Sequence, residues 1–203
     1  LAACSNQQTA TVQQLLGGAF CTYGLPQAIL CDNGSPWGHD REHPWTPLGV
    51  WLLDLGVKVT HSRPLHPQTA GKEERFHLTL DWEVISTRSV WDDLATVQHA
   101  FDRWRVVYNH ERPHDSLGLQ VPADRYQPSP RPMPTVIVPV DYPDDYQVRK
   151  ASTNAQISFN GRRIRVGKAF RGRYIGIRPD TTDGTYHLYY RNQRIRTIDL
   201  ATP

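Results

Sequence analysis

Between Pro122 and Pro143 seven of 22 residues are proline. Proline fixes its own φ and lacks an amide donor, so this stretch cannot be regular helix or a central strand. The chain changes period across it: apolar residues recur at three and four before it and alternate at two after it. The segment is therefore predicted to be an extended connector running along the core, 122–146, with Tyr126 and Met133 as anchors. It joins an α/β half, 1–121, to an all-β half, 147–203.

In the first half, Val12, Leu15, Leu16, Ala19, Phe20 and Tyr23 predict an amphipathic helix that stops at Gly24 and Pro26. A short apolar run, Gln27 to Cys31, predicts a strand closed by the breaker Asn33-Gly34. Thr46 and Pro47 offer a cap and a first-turn proline to a helix with Leu48, Trp51, Leu52 and Leu55 on one face. Val57 to Thr60 reads as the next strand. Gly71 to Ile85, free of proline, predicts a helix with Phe76, Leu80 and Val84 on one side. Leu94, Val97, Phe101, Trp104 and Tyr108 form a further helical stripe, introduced by Asp92 and Asp93. Aromatic side chains at that spacing are expected in a core rather than stacked on bases.

Beyond the connector, Ile157 and Phe159 should face Ile164 and Val166 across Asn160-Gly161, a dipeptide suited to a two-residue hairpin turn. Tyr174 to Ile177 and Tyr186 to Tyr190 form a second pair around Asp183-Gly184, and Arg194 to Leu200 supplies another strand. Five short strands in so little chain predict a small closed sheet. Charge divides at the same place. Residues 1–146 carry 11 Lys plus Arg against 17 Asp plus Glu, and residues 147–203 carry 12 against 3, so a net +3 conceals balances of −6 and +9. The tail is a candidate for polyanion binding, through Arg162, Arg163, Arg165, Lys168, Arg171 and Arg173.

Other function classes are disfavoured. With 38% hydrophobic residues, no apolar run of membrane-spanning length and no evident signal peptide, the chain is expected to be soluble and cytoplasmic. Three cysteines, Cys4, Cys21 and Cys31, lack CxxC spacing and are read as reduced thiols rather than a disulfide framework. The nine His lack zinc-site spacing.

Asp32 falls where an apolar strand ends, and Glu74 in the first turns of a helix, 41 residues intervening. Carboxylates converging from separate elements are what an open two-metal phosphoryl-transfer site needs. The segment His66 to Phe76 and the run Tyr108, Asn109, His110, Glu111, Arg112, Pro113, His114 resemble the motifs of the integrase core of bacterial insertion-sequence transposases and retroviral integrases, named for an Asp, Asp, Glu triad.

The resemblance implies an RNase H-like integrase core followed by a small SH3-like barrel that binds DNA. It makes Asp32 and Glu74 catalytic and metal-binding, with two Mg²⁺ (or Mn²⁺) ions in the complete site. It places Lys72, Arg75 and His77 near the scissile phosphate, where ordinary surface charge is the competing account. It implies DNA cleavage and strand transfer in recombination. The partners would be transposon ends and target DNA, bound by a homo-oligomer on bacterial nucleoid DNA and without a membrane.

The chain departs from that pattern at its start. Nothing before Asp32 is acidic, and Leu1 to Cys4 reads as the end of a third strand, so the first catalytic Asp and the first strands are expected to be missing. Asp54, Asp92 and Asp93 are poor substitutes because they sit on or open amphipathic helices. The fragment alone is then expected to be inactive, and the alternative is a catalytically incomplete remnant that only binds DNA.

Overall fold

The computed structural model describes residues 1–31, 34–38, 45–61 and 71–200. They fall into two compact units that interleave along the chain: Leu1–Gly24 with Ser62–Pro130, and Leu25–His61 with Arg131–Pro203. This spatial grouping cuts the chain differently from the linear boundaries at 121 and 147. No described helix is long and apolar enough to cross a membrane.

In the first unit α1 spans Thr9–Tyr23, and its last turn is closed by the amide of Gly24 at φ 77°, which donates to the Phe20 carbonyl at 2.9 Å. Only Phe20 of its apolar stripe is buried; Leu15 and Tyr23 stay exposed. Leu1 to Cys4 is irregular rather than the predicted strand end. No strand of its own unit is there to pair with it among the described residues, and the Ala3 amide donates instead to the side chain of Gln98 at 2.8 Å. Helices α3, Gly71–Glu83, and α4, Leu94–Val106, pack through Leu80, Val84, Phe101 and Trp104, with Phe76 and Tyr108 at the margin. The aromatic stripe is thus core, as its spacing predicts. Asp93 caps α4 by accepting from the Thr96 amide at 2.7 Å, a bond that lowers its carboxyl pKa.

The second unit begins with β1, Ala28–Cys31, α2, Pro47–Asp54, and β2, Lys58–His61. The two strands pair in parallel with Cys31 opposite His61. Thr46 caps α2 as expected, its hydroxyl accepting from the Gly49 amide at 3.2 Å. The helix is buried on more than the predicted face: Val50, Leu53 and Asp54 join Leu48 and Leu52 inside. The reason is that strands of the all-β half lie in the same unit. Trp45 meets Phe170 edge-on at 5.9 Å between ring centroids, and its indole donates to the Ile195 carbonyl at 3.4 Å.

Among the described residues that half holds six strands, not five: β3, Gln147–Lys150; β4, Gln156–Phe159; β5, Arg162–Arg165; β6, Tyr174–Pro179; β7, Thr185–Tyr190; and β8, Gln193–Asp199. The Asn160-Gly161 turn forms with φ of 46° and 72°, and places Ile157 opposite Ile164. The expected closed sheet is not found among the described residues. An open four-stranded antiparallel sheet, ordered β3-β6-β7-β8, stands beside the separate β4–β5 hairpin. What crosses between β8 and β5 is a side chain, the Arg196 guanidinium donating to the Arg165 carbonyl. Interior packing joins the pieces, with Phe159 edge-on to Tyr186 at 4.9 Å.

The connector is irregular beyond a short 3-10 turn at Pro122–Arg125. Tyr126 touches Tyr23 edge-on. The anchors with most hydrogen bonds are two others. Arg131 donates to the carbonyls of Pro26, Leu55 and Gly56 at 2.9–3.0 Å. Tyr142 covers Gly176, its hydroxyl 2.9 and 3.0 Å from the carbonyls of Tyr174 and Tyr189, and accepts the Arg191 amide at 3.2 Å. Burial raises the Tyr142 phenol pKa, which keeps it a donor. A Cβ on Gly176 would meet the Tyr142 ring at 2.5 Å, and a ring held by three hydrogen bonds cannot yield. Gly176→Ala should therefore destabilise the protein by about 1–3 kcal/mol, read as a lower midpoint in thermal or urea unfolding.

Candidate functional site

Glu74 is exposed in the first turn of α3, beside Glu73. Carboxylates are favoured there by the exposed amides and positive end of the helix dipole. Lys72 and Arg75, three apart, lie on one side of the helix, and Glu74 and His77 on another; all are exposed. The side that carries Glu74 continues into the exposed apolar residues Leu78 and Trp82, and exposed Ile85 follows in a 3-10 turn beyond the helix.

Besides the core contacts, residues of the Tyr108–His114 run help to hold this helix in place. Helix α4 passes into a π-helical turn, Val107–Glu111, and the chain then brings Arg112 back to the end of α3. Its guanidinium donates to both oxygens of Glu83 at 2.6 and 2.7 Å, and the Trp104 indole donates to Glu83 at 2.7 Å. Phe76 packs edge-on against Trp104 and Tyr108, each at 5.3 Å. His114 stands edge-on to Tyr108 at 4.7 Å, and Arg112 lies over the Tyr108 ring at 5.6 Å. The run thus fixes the orientation of α3, and with it the direction in which Glu74 projects.

The Arg112 hydrogen bonds, opposed by partial burial and aided by the Trp104 indole, hold the Glu83 carboxyl below its ordinary pKa. A depressed carboxylate contributes stability that is present above its unfolded pKa, about 4.3, and is lost as pH falls through the lower folded value. Glu83 is 37% exposed, so solvent screening limits the contribution to roughly 1 kcal/mol. Thermal unfolding between pH 6 and pH 3 should show the wild type losing more stability than Glu83→Gln. Parallel losses in both would remove this assignment.

Asp32 and the segment 62–70, which includes His66, lie outside the described residues. Carboxylate oxygens are the hard donors that Mg²⁺ and Mn²⁺ prefer, so Asp32 and Glu74 suit such an ion in kind. Among the described residues no group of three His, Cys, Asp or Glu is placed to hold a metal ion. His61, at the end of β2, lies opposite Cys31. Its Nε2 is 3.1 Å from the Trp37 carbonyl, in the turn that follows Asp32 and Asn33.

The six cations singled out in the tail are all exposed. Arg163 and Arg165 alternate with buried Ile164 on β5 and so share its outer face. Arg162 opens that strand, and Lys168 and Arg171 lie in and just after the 3-10 turn at Lys168–Phe170. Arg173, just before β6, pairs with Asp54 at 3.0 Å.

Asp54 is the residue that sequence reasoning missed. Its side chain is only 4% exposed and is met by the Tyr190 hydroxyl at 2.5 Å, by Arg191 Nε at 3.3 Å and by Arg173. Burial, then the bond to Asp54, pushes the Tyr190 phenol pKa up, so it remains a donor. A signal existed. Trp51-Leu52-Leu53-Asp54-Leu55 sets one acid inside an apolar run, where an unpaired charge is costly.

Residues 55–122 match the family model described as integrase core domain, and residues 146–203 match that described as IS481 family transposase, C-terminal domain. Among solved structures, the chain is similar to one in the cryo-EM structure of the simian T-cell lymphotropic virus intasome in complex with PP2A regulatory subunit B56 gamma. The TM-score is 0.45 at 15% identity, over 96% of this chain and 66% of that one.

Proposed function

With an integrase core match followed by a match to the C-terminal domain of IS481-family transposases, the resemblance to insertion-sequence transposases stands, and we propose that this chain cuts and joins DNA as part of a transposase. The observation that supports the catalytic part is an exposed carboxylate, Glu74, on a helix whose orientation is fixed by the Glu83–Arg112–Trp104 contacts. In this reading Asp32 and Glu74 bind Mg²⁺ or Mn²⁺, two ions in the complete site, with a further acid supplied from outside residues 1–31. A bound divalent ion supplies electrostatic stabilisation of the charge that develops on the phosphate oxygens. The chain's own part is placement: Lys72, Arg75 and His77 hold phosphates beside Glu74, and α3 keeps that carboxylate from swinging away. Residues 147–203 act as an SH3-like DNA-binding module, its seam bridged by Arg196.

The exposed Leu78, Trp82 and Ile85 suit a contact between copies, in keeping with a homo-oligomer on transposon-end and target DNA in the bacterial cytoplasm. The second reading, a remnant that binds DNA without cutting it, is favoured by the +9 balance of 147–203, which gives DNA affinity without any catalytic residue. One assay separates them. The chain, alone and joined to an N-terminal segment that supplies a third acid, is incubated with transposon-end DNA and Mg²⁺. Cleaved and joined products from the extended protein support the enzyme; DNA retention without products from either supports the remnant.

A further inference from the structure

Three groups converge on the buried Asp54 carboxylate, and all of them come from the all-β half. Tyr190 ends β7, Arg191 begins the two-residue turn to β8, and Arg173 immediately precedes β6. Asp54 itself ends α2, which lies between β1 and β2 in the chain. The node also reaches the connector, since Arg191 donates to the Val138 carbonyl at 2.5 Å while its amide donates to the Tyr142 hydroxyl.

Arg191 has φ 51°, the left-handed conformation that the first position of a two-residue hairpin turn calls for and that glycine adopts freely. From that position its side chain reaches both Asp54 and Val138.

We propose that Asp54 is a positioning residue: it fixes the β1–α2–β2 segment, which leads directly into Asp32, to the module that holds DNA. DNA bound on the module would then lie at a set distance from β1, whose next residue in the chain is Asp32, instead of being held on a tethered domain. This rests on the transposase reading of Asp32 and of the module.

The test uses the chain extended as above, with Asp54→Asn, Arg191→Gly and Tyr190→Phe. The glycine variant removes the guanidinium and relieves the backbone, so it cannot fail through strain. Hydrogen exchange of the β1–β2 amides should accelerate at least about tenfold in Asp54→Asn and Arg191→Gly while β6–β7 amides stay protected. DNA affinity should stay within about twofold, and the joining rate at saturating DNA should fall by about tenfold or more, a loss of rate rather than of binding. If Asp54→Asn does not fold, Tyr190→Phe, which removes only one hydrogen bond, should show the same pattern at smaller size. Unchanged exchange at β1–β2 overturns the coupling whatever the DNA does. Affinity that falls in step with rate reduces Asp54 to a structural role and overturns the positioning. Accelerated exchange in a protein whose wild type joins no DNA leaves the contact standing and overturns the transposase reading, and the positioning role with it.

Discussion

Glu74→Gln in the extended protein should abolish end cleavage and joining, a loss on the order of a thousandfold, without changing the unfolding midpoint by more than about 0.5 kcal/mol. Both halves follow from its position. Glu74 is exposed and is not among the buried residues of the Leu80, Val84, Phe101, Trp104 core, so an isosteric amide there is expected to leave the packing intact. The amide removes the charge that a divalent ion requires, and a neutral oxygen is a much weaker hard donor. Isothermal titration with Mn²⁺ provides a reading that does not depend on turnover: weak binding in the wild type should become weaker still in Glu74→Gln. Glu73→Gln serves as the neighbouring control and should retain activity. Strand transfer that survives Glu74→Gln, or that is lost equally in Glu73→Gln, would detach the catalytic role from this residue.

DNA affinity should fall several-hundredfold between 50 and 200 mM salt. Arg173 pairs with Asp54; Arg162, Arg163, Arg165, Lys168 and Arg171, all exposed, are the proposed phosphate contacts. Five neutralised phosphates give a log–log slope of about −4.5 on duplex DNA. Each Arg→Ala change in that set should make the slope shallower by up to about one, across all DNA sequences alike. Arg173→Ala should leave the slope as it is and lower stability instead, since it takes a cation from a buried carboxylate. A fluorescence titration of the full chain over that salt range reads all of this, and a flat response in a folded protein would move the contact to Lys72, Arg75 and His77 on α3.

How much of this was legible before the structure depended on whether the determinant was local. The cap at Thr46, the Asn160-Gly161 turn and the aromatic part of the stripe, Phe101, Trp104 and Tyr108, are encoded within a few residues of where they act, and each formed as expected. Strand β3 was missed because Gln147, Val148, Arg149 and Lys150 are all exposed, so nothing alternates; its place is set by pairing with β6. Closure failed as an expectation for a related reason: counting strands says nothing about which edges meet, and here one edge is bridged by Arg196. Of the expected connector anchors Tyr126 does meet Tyr23, whereas Arg131 and Tyr142, which a search for apolar anchors passes over, hold the connector by hydrogen bonds to carbonyls far away in sequence. The motif run Tyr108–His114 was recognisable as a signature, but its action on Glu83 at the far end of α3 was not.

The Arg131 clamp has a consequence for the order in which the protein can be made. The carbonyls of Leu55 and Gly56, left open where α2 ends, are satisfied by a guanidinium about 75 residues later in the chain, and Asp54 and Trp45 wait for partners 136 and 150 residues away. On a ribosome that delivers about 5–20 residues per second, α2 emerges early with a carboxylate that has no cation and a helix end that has no donor. It stays unsettled until nearly the last strand is out. A nascent chain that stalls before Tyr190 therefore leaves the Asp54 carboxylate without Tyr190 and Arg191, and the Trp45 indole without the Ile195 carbonyl.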